Sequence, residues 1–262
     1  MLTVQCLQDF ILSWLLDYLN RSKCEGFVIG ISGGVDSALT ANLCAKTSKK
    51  VVLLNMPIRQ TKDEFSRACL QIAHLEENFK NVSSIQLPLT TVFDEFNKVL
   101  PELVQQDFLA LANSRSRLRM TTLYAVAQAH RCLVVGTGNK VEDFGIGFYT
   151  KYGDGGVDIS PIADLTKTEV FKLAKEVGVI PQILNAKPTD GLWEDGRTDE
   201  DQIGASYPEL EWAMEYTGDL TNLSERQVAV LSIYKKFNAM NQHKMQPIPV
   251  CIIPSWMKSQ LK

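Results

Sequence analysis

One segment combines glycines, hydroxyl groups and a carboxylate directly after the apolar run Phe27-Val28-Ile29. It consists of Gly30, Ile31, Ser32, Gly33, Gly34, Val35, Asp36 and Ser37. A double glycine lets the backbone bend tightly near a ligand, and a helix that begins after it points free N–H groups at an anion. Because the Asp36 carboxylate would repel phosphate, it makes sense only if a divalent cation lies between them. The pattern predicts a loop that binds a metal-bound polyphosphate.

This loop matches neither of two widespread phosphate-binding patterns. No lysine follows the glycines, which excludes Gly-x4-Gly-Lys-Ser/Thr, and the spacing Gly-x-Gly-x-x-Gly is missing here. An ordinary strand–turn–helix junction is the simpler interpretation. Two serines and an aspartate around a double glycine favour a functional loop over that junction.

A second segment, residues 136–142, also follows an apolar strand. Thr137 offers a hydroxyl and backbone donors to a nucleotide, and Glu142 offers a second hard oxygen ligand for Mg²⁺. A glutamate after a strand is usually only solvated. Because the carboxyl ends of parallel strands meet at one edge of a sheet, however, Asp36 and Glu142 are expected to lie close together. The pair predicts a magnesium site.

Three other groups of polar residues are candidates of lower specificity. Residues 148–158 place Lys151, Asp154 and Asp158 among glycines, which is typical of a polar hairpin or of a lid over a substrate. A predicted helix carries arginines at alternate positions, which cannot share one face, so at least one should point toward the site. Lys167 opens a helix and is the best candidate for a cation directed at triphosphate. For the pair His243-Lys244, the spacing alone does not support a functional role.

Composition limits the function classes. The 262 residues are 45% hydrophobic and 22% charged, which is typical of a soluble globular protein. A net charge of −3 argues against a general nucleic-acid partner. The six cysteines are scattered without a Cys-x-x-Cys pair, and several lie in apolar runs, which indicates reduced core residues. The start lacks a basic signal region, and no apolar stretch reaches the length of a membrane span. We expect a cytoplasmic protein.

Apolar strands that alternate with helices predict the fold class. Strands are predicted at 27–31, 51–56, 82–87 and 132–136. Helices are predicted at 4–18, 37–47, 61–79, 90–99, 107–130 and 224–241, and another begins with the capping box Thr166–Glu169 and ends at Gly178. A long glycine-rich connection spans 137–161, and 186–206 is polar and rich in turns. The pattern predicts an α/β protein with a doubly wound, mostly parallel sheet flanked by helices, as one domain over residues 1–262.

Taken together, the segments resemble bacterial NAD synthetase, a member of the N-type ATP pyrophosphatase superfamily. The matching segments are 32–37, 136–142, 150–158, 161–167, 187–189 and 243–244, in the family's order and across nearly the whole chain. The resemblance implies an adenine nucleotide alpha hydrolase-like fold and a ligase. That ligase amidates deamido-NAD to NAD with ATP and ammonia. Pyrophosphate is released when an adenylated intermediate forms, and AMP is released when ammonia attacks that intermediate. We expect the loop at 145–158 to exclude water from this intermediate.

The resemblance also implies residue roles. ATP would be held by Gly30 to Ser37, Thr137, Lys167 and Thr189, and Mg²⁺ by Asp36 and Glu142. Deamido-NAD would contact Arg117, Lys151, Asp158, His243 and Lys244, and the catalytic residues would be Asp154 and Lys167. The family works as a homodimer with deamido-NAD at the subunit interface. We expect the first helix and the arginine helix to form that interface. Nothing before the ATP loop leaves room for an amidase domain, so free ammonia, from solution or a separate glutaminase, is the expected nitrogen donor.

Two alternatives stay open. Another adenylating enzyme of the superfamily could act on a different substrate, but sulfur transfer needs cysteines in paired or loop positions and tRNA binding needs a basic surface. A non-catalytic nucleotide-binding module would need neither two carboxylate ligands nor the 148–158 segment.

Overall fold

A parallel sheet forms the centre of the molecule. The structure, a computed structural model, describes residues 4–189 and 198–259. The strands are β1 (Gly26–Gly30), β2 (Lys50–Asn55), β3 (Val82–Gln86) and β4 (Cys132–Val134), in the order β3-β2-β1-β4. All three strand pairs are parallel. The chain therefore winds outward on both sides of β1, and the switch point lies between β1 and β4, as the predicted fold class requires.

Strand residues alternate between two hydrophobic clusters, which places helices on both faces of the sheet. Phe27, Ile29, Val51 and Leu53 pack on one face, and Val28, Val52 and Leu54 pack on the other. All of these side chains are fully buried. Because side chains of a strand point to opposite faces in turn, continuous apolar runs such as these require cover on both sides.

The helices are named in chain order. They are α1 (Val4–Ser22), α2 (Val35–Lys46), α3 (Lys62–Asn78), α4 (Thr90–Lys98), α5 (Glu102–Gln105), α6 (Phe108–His130), α7 (Lys167–Val177), α8 (Pro181–Leu184), α9 (Asp199–Ile203), α10 (Tyr207–Glu215), α11 (Glu225–Met245) and α12 (Ser255–Lys258). A π-helical turn spans Val141–Ile146. Within the described residues, none of the helices combines the length and apolar character needed to cross a bilayer.

The predicted ends of α7 are confirmed. Thr166 and Glu169 form a reciprocal capping box, in which the Glu169 carboxylate accepts from the Thr166 N–H at 2.8 Å. Gly178 ends the helix at φ 91°, a left-handed conformation that favours glycine. This start places Lys167 at the first position of the helix, where it faces the sheet edge.

The second half of the chain is more helical than predicted. The connection at 137–161 contains the π-helical turn, and α11 continues to Met245, so its last turn carries His243 and Lys244. Helix α9 lies inside the polar 186–206 segment, of which residues 190–197 are outside the described part. These elements share a third hydrophobic cluster that includes Val141, Leu210 and Val230. Tertiary packing, rather than local pattern, therefore sets these helices.

Candidate active site

A cavity of about 600 Å³ opens at the carboxyl ends of β1 and β4. Its lining includes all residues of the 30–37 loop together with Thr137, Glu142, Asp154, Lys167, Thr189 and Lys244. The structure thus brings together every predicted ATP and metal residue and both predicted catalytic residues. Their common location follows from the topology, because β1 and β4 are neighbours and their following loops share one edge.

Position 33 of this loop accepts only glycine, because of its backbone conformation and its close contact with α3. Its φ is 87°, and an added Cβ would lie 2.6 Å from the Glu64 carbonyl oxygen on α3. The Arg67 Nε also donates to the Gly33 carbonyl at 3.2 Å. Helix α3 therefore fixes the outer side of the loop, while the inner side faces the cavity.

The two serines of the loop hold its ends together. The Oγ atoms of Ser32 and Ser37 lie 3.1 Å apart, and the Ser37 hydroxyl donates to the Gly34 carbonyl at 3.0 Å. Helix α2 begins at Val35, and the preceding Gly34 provides no side-chain cap. Its first N–H groups therefore stay available to an anion in the cavity.

A buried lysine joins the two predicted metal ligands. The Lys167 Nζ donates to Asp36 Oδ2 at 2.7 Å and to Glu142 Oε1 at 3.0 Å, and the lysine side chain is only 5% exposed. The Tyr207 hydroxyl donates to Glu142 Oε1 at 2.6 Å, and the Tyr207 ring lies 4.7 Å below the ammonium group. The Asn139 Nδ2 donates to Asp36 Oδ1 at 3.1 Å. Two carboxylates and one ammonium therefore form a single cluster.

Burial and the neighbouring charges shift these groups in different directions. Burial opposes ionisation of Lys167, but Asp36 and Glu142 outweigh it and raise the lysine pKa. Burial raises the pKa of Asp36 despite the attraction of Lys167. Burial also opposes ionisation of Glu142, but Lys167 and the Tyr207 hydrogen bond bring its pKa below the usual value. The ion pairs keep the lysine charged in a site where it would otherwise lose its proton.

Asp154 is held by a serine from α6. Its Oδ1 accepts from the Ser116 hydroxyl at 2.7 Å and from the Thr150 N–H at 3.0 Å, while its own N–H donates to Ser116 Oγ at 2.9 Å. The residue is exposed and lines the cavity. Desolvation of its carboxyl group by the surrounding protein raises its pKa, and the Ser116 and Thr150 hydrogen bonds oppose that rise.

Several residues of the site were not singled out from the sequence. Asn139 lies between Thr137 and Glu142 in the second polar segment, and this position is the one sequence signal for its contact with Asp36. Tyr207 gave no signal, since α10 was not predicted. Asp143 also lines the cavity, and burial followed by repulsion from Glu142 raises its pKa to about 8.

Glu64 also joins the site without a sequence signal. Its Oε1 accepts from the Thr189 hydroxyl at 2.9 Å, which ties the segment after α8 to the first turn of α3. Asp143 occupies space beside Gly138, where an added Cβ would lie 2.2 Å from its carboxylate. Gly138 therefore leaves room for this third carboxylate.

The residues predicted to bind deamido-NAD are mostly outside the cavity. Lys244 lines it, and its Nζ donates to the carbonyls of Gly147 at 2.7 Å and Tyr149 at 2.8 Å. Arg117, Lys151, Asp158 and His243 do not belong to the described lining. The structure thus separates four of the five from the ATP residues.

These outlying groups contact the chain itself. The Lys151 ammonium donates to the His243 carbonyl, and the Arg117 Nε donates to the Lys151 carbonyl at 3.3 Å. Asp158 accepts from the Val134 N–H at 2.8 Å and from the Tyr124 hydroxyl at 3.0 Å. Asp158 therefore caps the end of β4 in this structure.

Comparisons with known proteins identify the family. The family model described as NAD synthase matches residues 7–247. The chain belongs to the NAD synthase family. An NH(3)-dependent NAD(+) synthetase from Mycoplasma genitalium is 39% identical over 226 residues, which cover 86% of this chain and 88% of that protein. A match of this extent to synthetases favours an enzyme over the alternative of a non-catalytic nucleotide-binding module.

Solved structures of NAD synthase relatives share the architecture. The NMN synthetase from Francisella tularensis gives a TM-score of 0.83 at 29% identity, covering 97% of this chain and 100% of that chain. An NH3-dependent NAD synthetase from Campylobacter jejuni gives 0.76 at 26% identity, covering 96% and 100%. The predicted fold class is confirmed. As a member of the NAD synthase family, the chain is a ligase that uses ATP.

Proposed function

We propose that this cavity carries out the ATP-dependent amidation of deamido-NAD with ammonia. The observation that carries the proposal is the cluster of Asp36, Lys167 and Glu142 beneath the 30–37 loop. It combines anion donors, carboxylates and a buried cation at a sheet edge where nucleotides bind. The relatives that match most of the chain have this activity by name, which gives the substrate.

We propose Mg²⁺ as the metal that Asp36 and Glu142 hold. The fit is supported by Lys167, because an ammonium between the two carboxylates demonstrates that the space between them accepts a positive charge. Among the described residues no three acidic, histidine or cysteine side chains converge as a metal site, so phosphate oxygens would complete the coordination. Bound there, Mg²⁺ would neutralise charge that builds on the departing pyrophosphate.

The chain's own groups account for adenylation. The N–H groups at the start of α2 and the Lys167 ammonium hold the polyphosphate so that the α-phosphorus faces the nicotinate carboxylate. One carboxylate oxygen forms the new P–O bond, and the bond from the α-phosphorus to pyrophosphate breaks, with its electron pair leaving on pyrophosphate. Thr137 and Thr189 are proposed contacts of the nucleotide at the two sides of the cavity.

Amidation follows in the same cavity. The ammonia nitrogen forms a bond to the activated carbonyl carbon, the bond from that carbon to the AMP oxygen breaks, and AMP leaves with the electron pair. Asp154 lies in the cavity wall with its Oδ1 already bonded, and we assign its carboxylate to accept the proton that nitrogen loses. Docking of the 145–158 segment against α6 and α11 supports its proposed role in excluding water.

The remaining substrate contacts are proposed to need a homodimer. Arg117, Lys151, Asp158 and His243 lie outside the cavity of a single chain, where a neighbouring subunit could present the dinucleotide to them. Exposed apolar side chains on α1 and at the start of α6 support these helices as the interface: Phe10, Trp14, Tyr18, Phe108 and Leu109. We also propose that the chain acts as a single domain in the cytoplasm, on ammonia rather than glutamine.

Product analysis tests the proposed activity. The purified chain receives ATP, Mg²⁺, deamido-NAD and an ammonium salt, and NAD, AMP and pyrophosphate are measured together. Equal amounts of all three are expected. AMP and pyrophosphate without NAD would point to another adenylating enzyme, and no ATP consumption with an active control synthetase present would refute the proposal.

Nicotinic acid mononucleotide is a second candidate substrate. The structural neighbour with a TM-score of 0.83 is an NMN synthetase, and the groups predicted to recognise the rest of the dinucleotide lie outside the cavity. Only the nicotinate end has to reach the reacting atoms. Running both acceptors under the same conditions decides between them, because kcat/KM for the preferred acceptor should be at least about tenfold higher.

A further inference from the structure

Three serine and threonine residues of α6 are buried or half-buried, and one of them bonds differently from the other two. The Ser114 hydroxyl donates to the Ala110 carbonyl at 2.8 Å, and the Thr122 hydroxyl donates to the Leu118 carbonyl at 2.9 Å. These are the usual bonds of a hydroxyl to the carbonyl four residues earlier in its own helix. Ser116 instead bonds to Asp154, a residue 38 positions away.

Ser116 fixes both the backbone and the side chain of Asp154. Its hydroxyl donates to Oδ1 at 2.7 Å and its Oγ accepts from the Asp154 N–H at 2.9 Å. The turn packs tightly on this hydroxyl, since a Cβ added to Gly153 would lie 2.3 Å from Ser116 Oγ. Ser116 is only 8% exposed. The hydroxyl is therefore shielded from solvent, and its hydrogen bonds fix the geometry of the turn at Asp154.

The hydrogen bonds leave the two oxygens of Asp154 unequal. Oδ1 accepts from Ser116 and from the Thr150 N–H at 3.0 Å. Within the described residues, Oδ2 accepts no hydrogen bond, and the side chain lines the cavity. A carboxylate with one occupied oxygen and one available oxygen is oriented, which is what a group that receives a proton from a bound nucleophile requires.

We propose that Ser116 is a positioning residue for the ammonia step, which holds Asp154 so that Oδ2 meets the attacking nitrogen. The inference rests on the proposed function, because it gives Asp154 its role there. Adenylation does not involve Asp154 in this scheme. Loss of the serine hydroxyl should therefore slow the second half-reaction and leave the first nearly intact.

Rapid-quench kinetics of Ser116→Ala test this prediction. The wild-type chain is first shown to form NAD, AMP and pyrophosphate in equal amounts, so a failure of the proposed function is recognised before any variant is made. Ser116→Ala should release pyrophosphate in a fast first turnover at a rate within about threefold of wild type. NAD should then form about tenfold to hundredfold more slowly, since small misplacements of reacting groups have effects of that size.

Matched variants separate positioning from a general structural defect. Ser114→Ala removes a hydroxyl from the same helix and should behave as wild type. Ser116→Cys keeps the volume with a weaker donor and should show the same slow second step, which covers the case in which the alanine variant folds poorly. In an Asp154→Asn background, Ser116→Ala should cause no further loss, because the serine acts through the aspartate.

Three results would overturn the proposal. The first is NAD formation by Ser116→Ala at the wild-type rate. The second is a proportional loss of pyrophosphate release and NAD formation in both serine variants, which would mean a structural role only. The third is full additivity of Ser116→Ala and Asp154→Asn.

Discussion

The nucleotide side of the cavity and the side predicted to hold the dinucleotide are built differently. On the nucleotide side, residues from the loops after β1 and β4 and from the start of α7 converge on one point, where Lys167 contacts both Asp36 and Glu142. On the other side, Lys151 and Asp158 bond to the chain's own backbone, at His243 and Val134. Under the proposed function, a single chain would therefore complete the ATP site, and the second substrate would need a further subunit.

Under the proposed function, this difference between the two sides predicts that ATP binding depends on one subunit and that deamido-NAD binding depends on two. The parallel neighbours β1 and β4 bring the two predicted nucleotide loops to one sheet edge within a single chain. We therefore expect the monomer to bind ATP. The proposed dinucleotide contacts would require Lys151 and Asp158 to exchange internal hydrogen bonds for bonds to substrate. Variants on the two sides should therefore differ in size of effect and in which kinetic constant they change.

The largest effect is expected from Asp36→Asn. The change removes a charged oxygen ligand without changing the shape of the side chain, and NAD formation should fall by at least about 10²-fold. Steady-state kinetics with saturating substrates measure this loss. The matched control Asp63→Asn, at an exposed position of α3, should keep normal activity. Near-normal turnover of Asp36→Asn would remove this carboxylate from the site.

Lys167→Met should produce opposite effects on turnover and on metal binding. Catalysis should fall by about 10²-fold because a cation on the phosphates is lost. Binding of Mn²⁺ in the absence of ATP should strengthen by about tenfold or more, since a like charge has left the space between the carboxylates. Electron paramagnetic resonance measures free Mn²⁺ directly. Lys172→Met, at an exposed position of the same helix, is the control. Unchanged Mn²⁺ affinity would contradict the view of Lys167 as an internal counter-ion.

Lys151→Ala should separate the two substrates. The KM for deamido-NAD should rise by about tenfold, a typical effect for a lost charged contact, while the KM for ATP stays within about twofold. Nicotinic acid mononucleotide should be less affected, because it lacks the adenylate half. Lys235→Ala on the exposed face of α11 controls for loss of charge. Equal changes for ATP and deamido-NAD would place Lys151 in the fold rather than in substrate binding.

The smallest effect concerns Asp158 and stability at alkaline pH. Burial, with the hydrogen bond to Asp158, raises the pKa of Tyr124 to about 12. Because the folded-state pKa is above the usual tyrosine value of about 10, this environment stabilises the fold below pH 10, and the stabilisation is lost as the pH rises toward 12. The unfolding temperature of the wild type should therefore fall more steeply over that range than that of Tyr124→Phe. Parallel curves would mean that the hydrogen bond contributes nothing.

The sequence predicted those parts of the molecule that local patterns determine. Apolar runs defined the strands, and the Thr166–Glu169 capping box placed Lys167 at the start of α7. The convergence of Asp36 and Glu142 followed from parallel topology. The contacts of Tyr207 and Glu64 were not predictable, because helices distant in sequence bring them to the cavity.

The sequence did not predict which carboxylate of the glycine-rich segment lines the cavity. Asp154 and Asp158 are four residues apart in the same glycine-rich segment, yet one lines the cavity and the other caps β4. The distinction depends on the turn at 150–156, which Ser116 holds against α6. No periodicity in the sequence reports such a long-range hydrogen bond.

An isotope-transfer measurement tests the central claim, that one cavity activates the carboxylate by adenylation before ammonia attacks. Deamido-NAD labelled with ¹⁸O in its nicotinate carboxylate is converted by the wild-type chain, and the AMP is examined by mass spectrometry. The account predicts that each AMP gains one carboxylate oxygen for each NAD formed. Formation of NAD with AMP that carries no label would contradict the acyl-adenylate route.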